Sequence, residues 1–241
     1  MTTRTAETSP RMRARVAGFL YLGLGLFAPF SLLYVPSRLI VPGDAATTAR
    51  NIMASESLFR LGIVSALITV IVNILVVLAL YQVLKPVNKN ITWLMVIFLL
   101  VSVPITMLNE LNNFAVLFLL SGADSLKIFT ADQVHTLVSL FLNLHATGLN
   151  IAGIFFGLWL FPMGYLVFKS GFLPRILGVL LIIGGFGYLI QSFTAFLFPN
   201  LAVNIALLPV LMSWGELLFP LWLVIKGVNV EQWEKRARAS A

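Results

Sequence analysis

Residues 103–118 read VPITMLNELNNFAVLF. They lie inside an apolar run, 91–120, that exceeds the roughly 20 residues a helix needs to cross a bilayer. Yet Asn109, Glu110, Asn112 and Asn113 fall within five consecutive positions of that run. Hydrocarbon has no water to solvate a carboxyl and three amides, so these groups must face other helices or a wet cavity. An ionisable side chain at that depth marks a candidate functional site. Counted inward from Leu120 at about 1.5 Å per residue, Glu110 is about 15 Å deep.

Five further runs of similar length flank this one, at 16–35, 58–84, 137–168, 173–198 and 201–225. The chain is 59% hydrophobic and only 10% charged, against about 25% charged in a soluble domain. The expected fold is therefore all-α, a polytopic transmembrane bundle of six spans over residues 16–227. Residues 1–15 are expected to be a disordered cytoplasmic tail and 228–241 a basic cytoplasmic tail. Four Arg ahead of the first run also fit a signal peptide, but the run is long for one and no small-x-small site follows, which favours a retained helix. Between the first two spans, 36–57 forms an outer segment. There Asp44 is placed to N-cap a short amphipathic helix with Ala45, Ala49, Ile52 and Met53 on one face, lying on the outer surface.

The net charge is +7, and its distribution orients the chain. With six spans, twelve of the sixteen Lys and Arg fall on the side of the termini, leaving only Arg38, Arg50, Arg60 and Lys127 opposite. That is the positive-inside pattern, with both termini cytoplasmic. The basic balance thus points to anionic headgroups. It does not point to nucleic acid, because no basic patch is interleaved with exposed aromatics. The absence of cysteine removes disulfides, iron–sulfur clusters and thiolate metal sites.

The segments SRLIVPGDAATTARNIMASESLFRLGI (37–63), ALYQVLKPVNKN (79–90) and GFLPRILGVLLIIGGFGYLI (171–190) carry a resemblance. Over about residues 15–227 the chain resembles a bacterial multi-pass membrane family catalogued as domain of unknown function 4386. The resemblance implies a polytopic inner-membrane protein with an outer segment after its first span. It brings no substrate, reaction, cofactor or catalytic residue.

Within the spans, polar residues form two stripes. In the fourth run Ser139, Asn143, Ala146, Asn150, Gly153, Gly157 and Gly164 share a helical face. Small residues let backbones approach and Asn supplies interhelical hydrogen bonds, so Asn143, Asn150, Gly153 and Gly157 are expected to form a packing seam in the bundle or in a dimer. In the third run Ser102, Thr106, Asn109 and Asn113 line up with Glu110 on their flank. Asn73 and Asn143 are candidate partners for these Asn residues. A buried carboxylate must be paired or protonated. Glu216 is the second intramembrane acid. Pro220, four residues on, lacks the N–H that would bond the carbonyl of residue 216. Glu216 is thus either a proton or cation site or an acid hydrogen-bonded to Tyr188 or Gln191. His145, in the outer half of the fourth run, is a core residue or a ligand. No HExxH or comparable metal spacing occurs, so no metal is expected.

The leading expectation is a membrane protein that is not an enzyme. Its partners would be the lipid bilayer and a small hydrophobic ligand, lipid or proton held in an outer-half pocket. Glu110, Asn109, Asn113, His145 and Gln191 would line the pocket, with Arg60 at its mouth. The alternatives are an intramembrane enzyme using Glu110 and His145 as acid and base, and a structural or regulatory subunit of another membrane protein. Nothing in the chain names a cofactor.

Overall fold

The computed structural model describes residues 9–205 and 207–240. Among the described residues six helices are long and apolar enough to cross a membrane: α1 (Pro10–Leu39), α3 (Glu56–Leu84), α4 (Lys89–Leu119), α5 (Ala131–Ser170), α6 (Arg175–Leu197) and α8 (Leu207–Ile225). The shorter α-helices described are α2 (Ala45–Ala54), α7 (Pro199–Asn204) and α9 (Val230–Ala239), and Asp124–Leu126 forms a 3₁₀ turn. Among the described residues there is no strand. The fold is all-helical with six spans, a multi-pass membrane protein.

Several boundaries differ from the sequence-based expectation. Residues 1–8 of the expected tail lie outside the described residues, but α1 already begins at Pro10. A Pro at the first helical position is favourable because its missing N–H is not needed there. At its other end α1 continues to Leu39, so the segment between the first two spans is shorter than 36–57. It gets there through one π turn, Phe30–Tyr34, where the Val35 N–H bonds to the Phe30 carbonyl. Pro29 and Pro36 bracket the turn, and Pro36 supplies no N–H to the turn before it, which disfavours a regular α register there.

The helix α2 forms as expected. Asp44 caps it, accepting from the Thr47 N–H at 2.8 Å and the Thr47 hydroxyl at 2.6 Å. Those bonds, the hydroxyl's first, hold the Asp44 carboxyl below its ordinary range. Its buried face is Thr48, Ala49 and Ile52, whereas Met53 is 48% exposed. Met53 thus forms the open edge of the apolar face expected for this helix. Thr48 joins the buried face because its hydroxyl both accepts from the Val41 N–H and donates to the Val41 carbonyl. That face packs on protein, since Ile52 belongs to a core with Val35, Leu39, Phe59, Ile63 and Val116.

The chain forms two compact units. One comprises Leu24–Ile71 with Val103–Ala152, and the other the described residues of 1–23 with 72–102 and 153–241. The first holds the core just named. In the second, α5 and α6 lie antiparallel on a glycine seam. A Cβ built on Gly157 would meet the Gly185 carbonyl at 2.8 Å, and one on Gly164 would meet the Gly178 carbonyl at 2.6 Å. The pairs 157/185 and 164/178 are both centred on Gly171, whose φ of +76° turns the chain between the helices. Backbone contact of this kind is open only to glycine, and in lipid it is a main source of helix association. In the same unit α8 breaks at Ser213 and packs on α6, where a Cβ on Gly215 would meet the Leu180 backbone.

Candidate functional site

The polar stretch of α4 meets α5 within the first unit. On α4, Glu110 and Asn113 are three residues apart and so share a face. Asn113 Nδ2 donates to Glu110 Oε2 at 2.8 Å. His145 of α5 sits with Nε2 3.0 Å from Glu110 Oε1. Asn109 Nδ2 donates to the His145 backbone carbonyl at 2.8 Å, and Asn112 bonds back to the carbonyl and side chain of Asn109 at 3.1 Å. Glu110 is 2% exposed and Asn109 7%. The two helices come this close because residue 148 is glycine: a Cβ there would occupy the space of the Asn109 amide.

Both carboxylate oxygens of Glu110 are therefore satisfied, one by an amide and one by the imidazole. That arrangement offsets the cost of burying the acid. Chemically, a carboxyl and an imidazole in contact form an acid–base pair that holds one transferable proton.

The pair faces open volume. A cavity of about 230 Å³ lies wholly within this unit. Glu110, Asn113 and His145 form its polar end; Val35, Leu39, Phe59, Ile63, Leu142 and Leu149 are among its apolar walls. Ser31 and Leu32, in the π turn of α1, also line it. Single π turns inside α-helices occur often at functional sites. Here hydroxyls cover the carbonyls that precede the turn: Ser31 Oγ donates to the Phe27 and Ala28 carbonyls, and Ser65 Oγ to the Phe27 carbonyl. The π turn and the α3 residues Phe59 and Gly62 were missed in the sequence reading. The Pro29–Pro36 spacing was the available signal.

Two expected pocket residues lie elsewhere. Arg60 is exposed and bonded at 2.6 Å to Glu56 Oε1, one turn before it on α3, and does not line the cavity. A full-length cation at a helix end satisfies itself locally more cheaply than it reaches into hydrocarbon. Gln191 belongs to the other unit and is exposed. The proposed Asn143 link to Asn109 and Asn113 is also replaced, because those amides bond to His145 and Glu110 instead.

The fourth-run stripe divides in two. Gly153 and Gly157 are buried against α6, as a packing role requires, and Asn150 is half-buried. Asn143 is exposed, so it takes no part in packing within the chain.

Glu216 lies in the second unit. Its Oε2 accepts from the Tyr21 hydroxyl at 2.9 Å, and Tyr188 is a near neighbour. Its Oε1 is buried with no hydrogen-bond partner among the described residues. Tyr21 packs in turn on Trp159 and Phe219, at ring-centre distances of 5.9 and 6.4 Å. Among the described residues no three His, Asp or Glu side chains gather to hold a metal ion.

Comparison with known proteins agrees with the resemblance read from the sequence. An uncharacterised protein of Archaeoglobus fulgidus is 34% identical over 172 residues, covering 70% of this chain and 86% of that protein. No solved structure matches the chain. The model of the family described as domain of unknown function DUF4386 matches residues 16–227, and the chain belongs to that family.

Proposed function

We propose that this protein resides in a bacterial inner membrane, with both termini in the cytoplasm, and holds a small, mainly apolar molecule in the α4–α5 cavity. The observation that carries this reading is a cavity of about 230 Å³ with mainly apolar walls, among whose few polar residues is the Glu110–His145 pair. Apolar pockets with a few convergent polar groups are the usual form of small-molecule sites. The ligand's apolar body lies along Val35, Leu39, Phe59 and Ile63, and one hydrogen-bonding group meets His145 or Asn113. The orientation rests on the side on which twelve of the sixteen basic residues fall.

Native mass spectrometry of protein released from its own membrane tests the reading, with Glu110→Gln and the cavity-filling Ala66→Phe as variants. An adduct carried by the wild type and lost from both variants is the expected result. Equal adducts in all three proteins would sink the assignment. An adduct chemically altered on incubation with the wild type alone would favour the intramembrane enzyme.

A second reading attaches to Glu216. Its buried, unpartnered Oε1 favours a bound proton or small cation there, independently of the cavity.

A further inference from the structure

Residues 228–240 do not trail from the last span. Gly227, at φ +68°, turns the chain, and Asn229 Oδ1 caps α9 by accepting from the Gln232 N–H at 3.1 Å. Three bonds then pin α9 to the rest of its unit. The Asn229 N–H donates to the Phe172 carbonyl at 3.1 Å. Trp233 Nε1 donates to the Val83 carbonyl at 2.8 Å. Arg236 donates to the Lys169 carbonyl at 3.1 Å.

Pinned in this way, α9 and the α5–α6 turn form the walls of a second, half-open cavity of about 240 Å³. Its lining includes Lys169, Ser170, Gly171, Gln232, Lys235 and Arg236, three cations with no acid among them. The α9 acid nearest in sequence to Lys235, Glu234, faces Arg238 at 3.7 Å, and neither lines the cavity. A need to cap α5 explains Arg236, whose guanidinium covers one of the final carbonyls of that helix. It does not explain why Lys169 and Lys235 converge on the same space, where like charges repel. Three cations around a concave space are neutralised by a polyoxygen anion, and Arg with Lys is the usual set for phosphate. The cavity stands where α5 ends and α6 begins, at the ends of two membrane spans. That is the level at which phospholipid phosphates lie.

We propose that this cavity binds the phosphate of an anionic phospholipid, with Lys169, Lys235 and Arg236 as its charged contacts and Gln232 as a polar one. The site is separate from the α4–α5 cavity and does not depend on its reading.

The test is lipid retention by native mass spectrometry of the full chain, reconstituted in nanodiscs of phosphatidylglycerol and phosphatidylcholine in equal parts. The wild type is expected to keep phosphatidylglycerol selectively. Lys169→Gln and Lys235→Gln should each lower retention about fivefold, the effect of one basic residue near an anionic surface. A Lys85→Gln control removes the same single charge from a residue that does not line the cavity and should retain the lipid. Hydrogen exchange over α9 checks that the helix remains docked in each variant. Displacement of the lipid by inorganic phosphate in detergent would identify phosphate as the recognised group. Equal retention of phosphatidylcholine would overturn the proposal, as would equal loss in the control or undiminished retention in the lysine variants. Saturation by inorganic phosphate with no phosphatidylglycerol retained would overturn the lipid as its source.

Discussion

Helix α5 is joined to α4 and to α6 by different physics. Toward α4 the joint is made by side chains: Asn109 donates to the His145 carbonyl, and Glu110, bonded by Asn113, meets the His145 imidazole, with one glycine, Gly148, admitting the Asn109 amide. Toward α6 it is made of backbone, glycine against carbonyl at 157/185 and 164/178. The two intramembrane acids follow the same division. Glu110 has both oxygens satisfied and faces a cavity. Glu216 has the Tyr21 phenol on Oε2, a second phenol, Tyr188, beside it, and aromatic rings around Tyr21. The difference teaches that a buried acid alone does not mark a site. A base within reach and open volume beside it separate Glu110 from an acid held in an aromatic lock.

The comparison predicts unequal responses to substitution. Gly157→Leu should have the largest effect, because its side chain meets backbone that has no rotamer to yield. A loss of about 3 kcal/mol, the upper range for overpacking, is expected in unfolding of the detergent-solubilised protein. The contact lies within the chain, so the folded fraction should keep its oligomeric state. Wild-type stability in this variant would break the claim that backbone contact holds the α5–α6 joint.

Glu110→Ala comes next. It leaves His145 Nε2 and the Asn113 amide unpaired in an apolar surround, at about 1–3 kcal/mol for such groups, while Glu110→Gln should lose less because it preserves shape and an acceptor. Tyr21→Phe, which strips Glu216 of its hydroxyl donor, should cost about 1 kcal/mol and leave ligand retention in the α4–α5 cavity unchanged. If Tyr21→Phe abolished retention and Glu110→Gln did not, the roles of the two acids would be reversed.

The smallest effect is local to α2. The Asp44 carboxyl sits below its ordinary value of 3.8 in the folded protein because of its bonds to Thr47. Its contribution is therefore present above the unfolded value and is lost as pH falls through the folded one. Hydrogen exchange over Ala45–Ala54, taken relative to the intrinsic amide rate at each pH, should accelerate in the wild type on acidification below about pH 4. In Asp44→Ala it should already be fast at neutral pH. Equal exchange in the two proteins at neutral pH would show that the cap contributes nothing.

The sequence by itself determined what depends on neighbours along the chain. Six spans were legible because the length and polarity of a segment decide whether it can cross hydrocarbon. The Asp44 cap was legible because its partner is three residues away, and the Gly153–Gly157 seam because small residues recur at helical spacing. Glu110 stood out because a carboxyl in an apolar run has no local means of satisfaction. Tertiary structure alone decided who satisfies it. His145 is 35 residues distant, and its contact depends on the rotation and approach of α4 against α5, which Gly148 permits. The same holds for Thr48 joining the buried face of α2, for Arg60 turning to Glu56, and for Val230–Ala239 folding back as a pinned helix. Each outcome balances local satisfaction of a polar group against a distant partner, and only the packed helices set that balance.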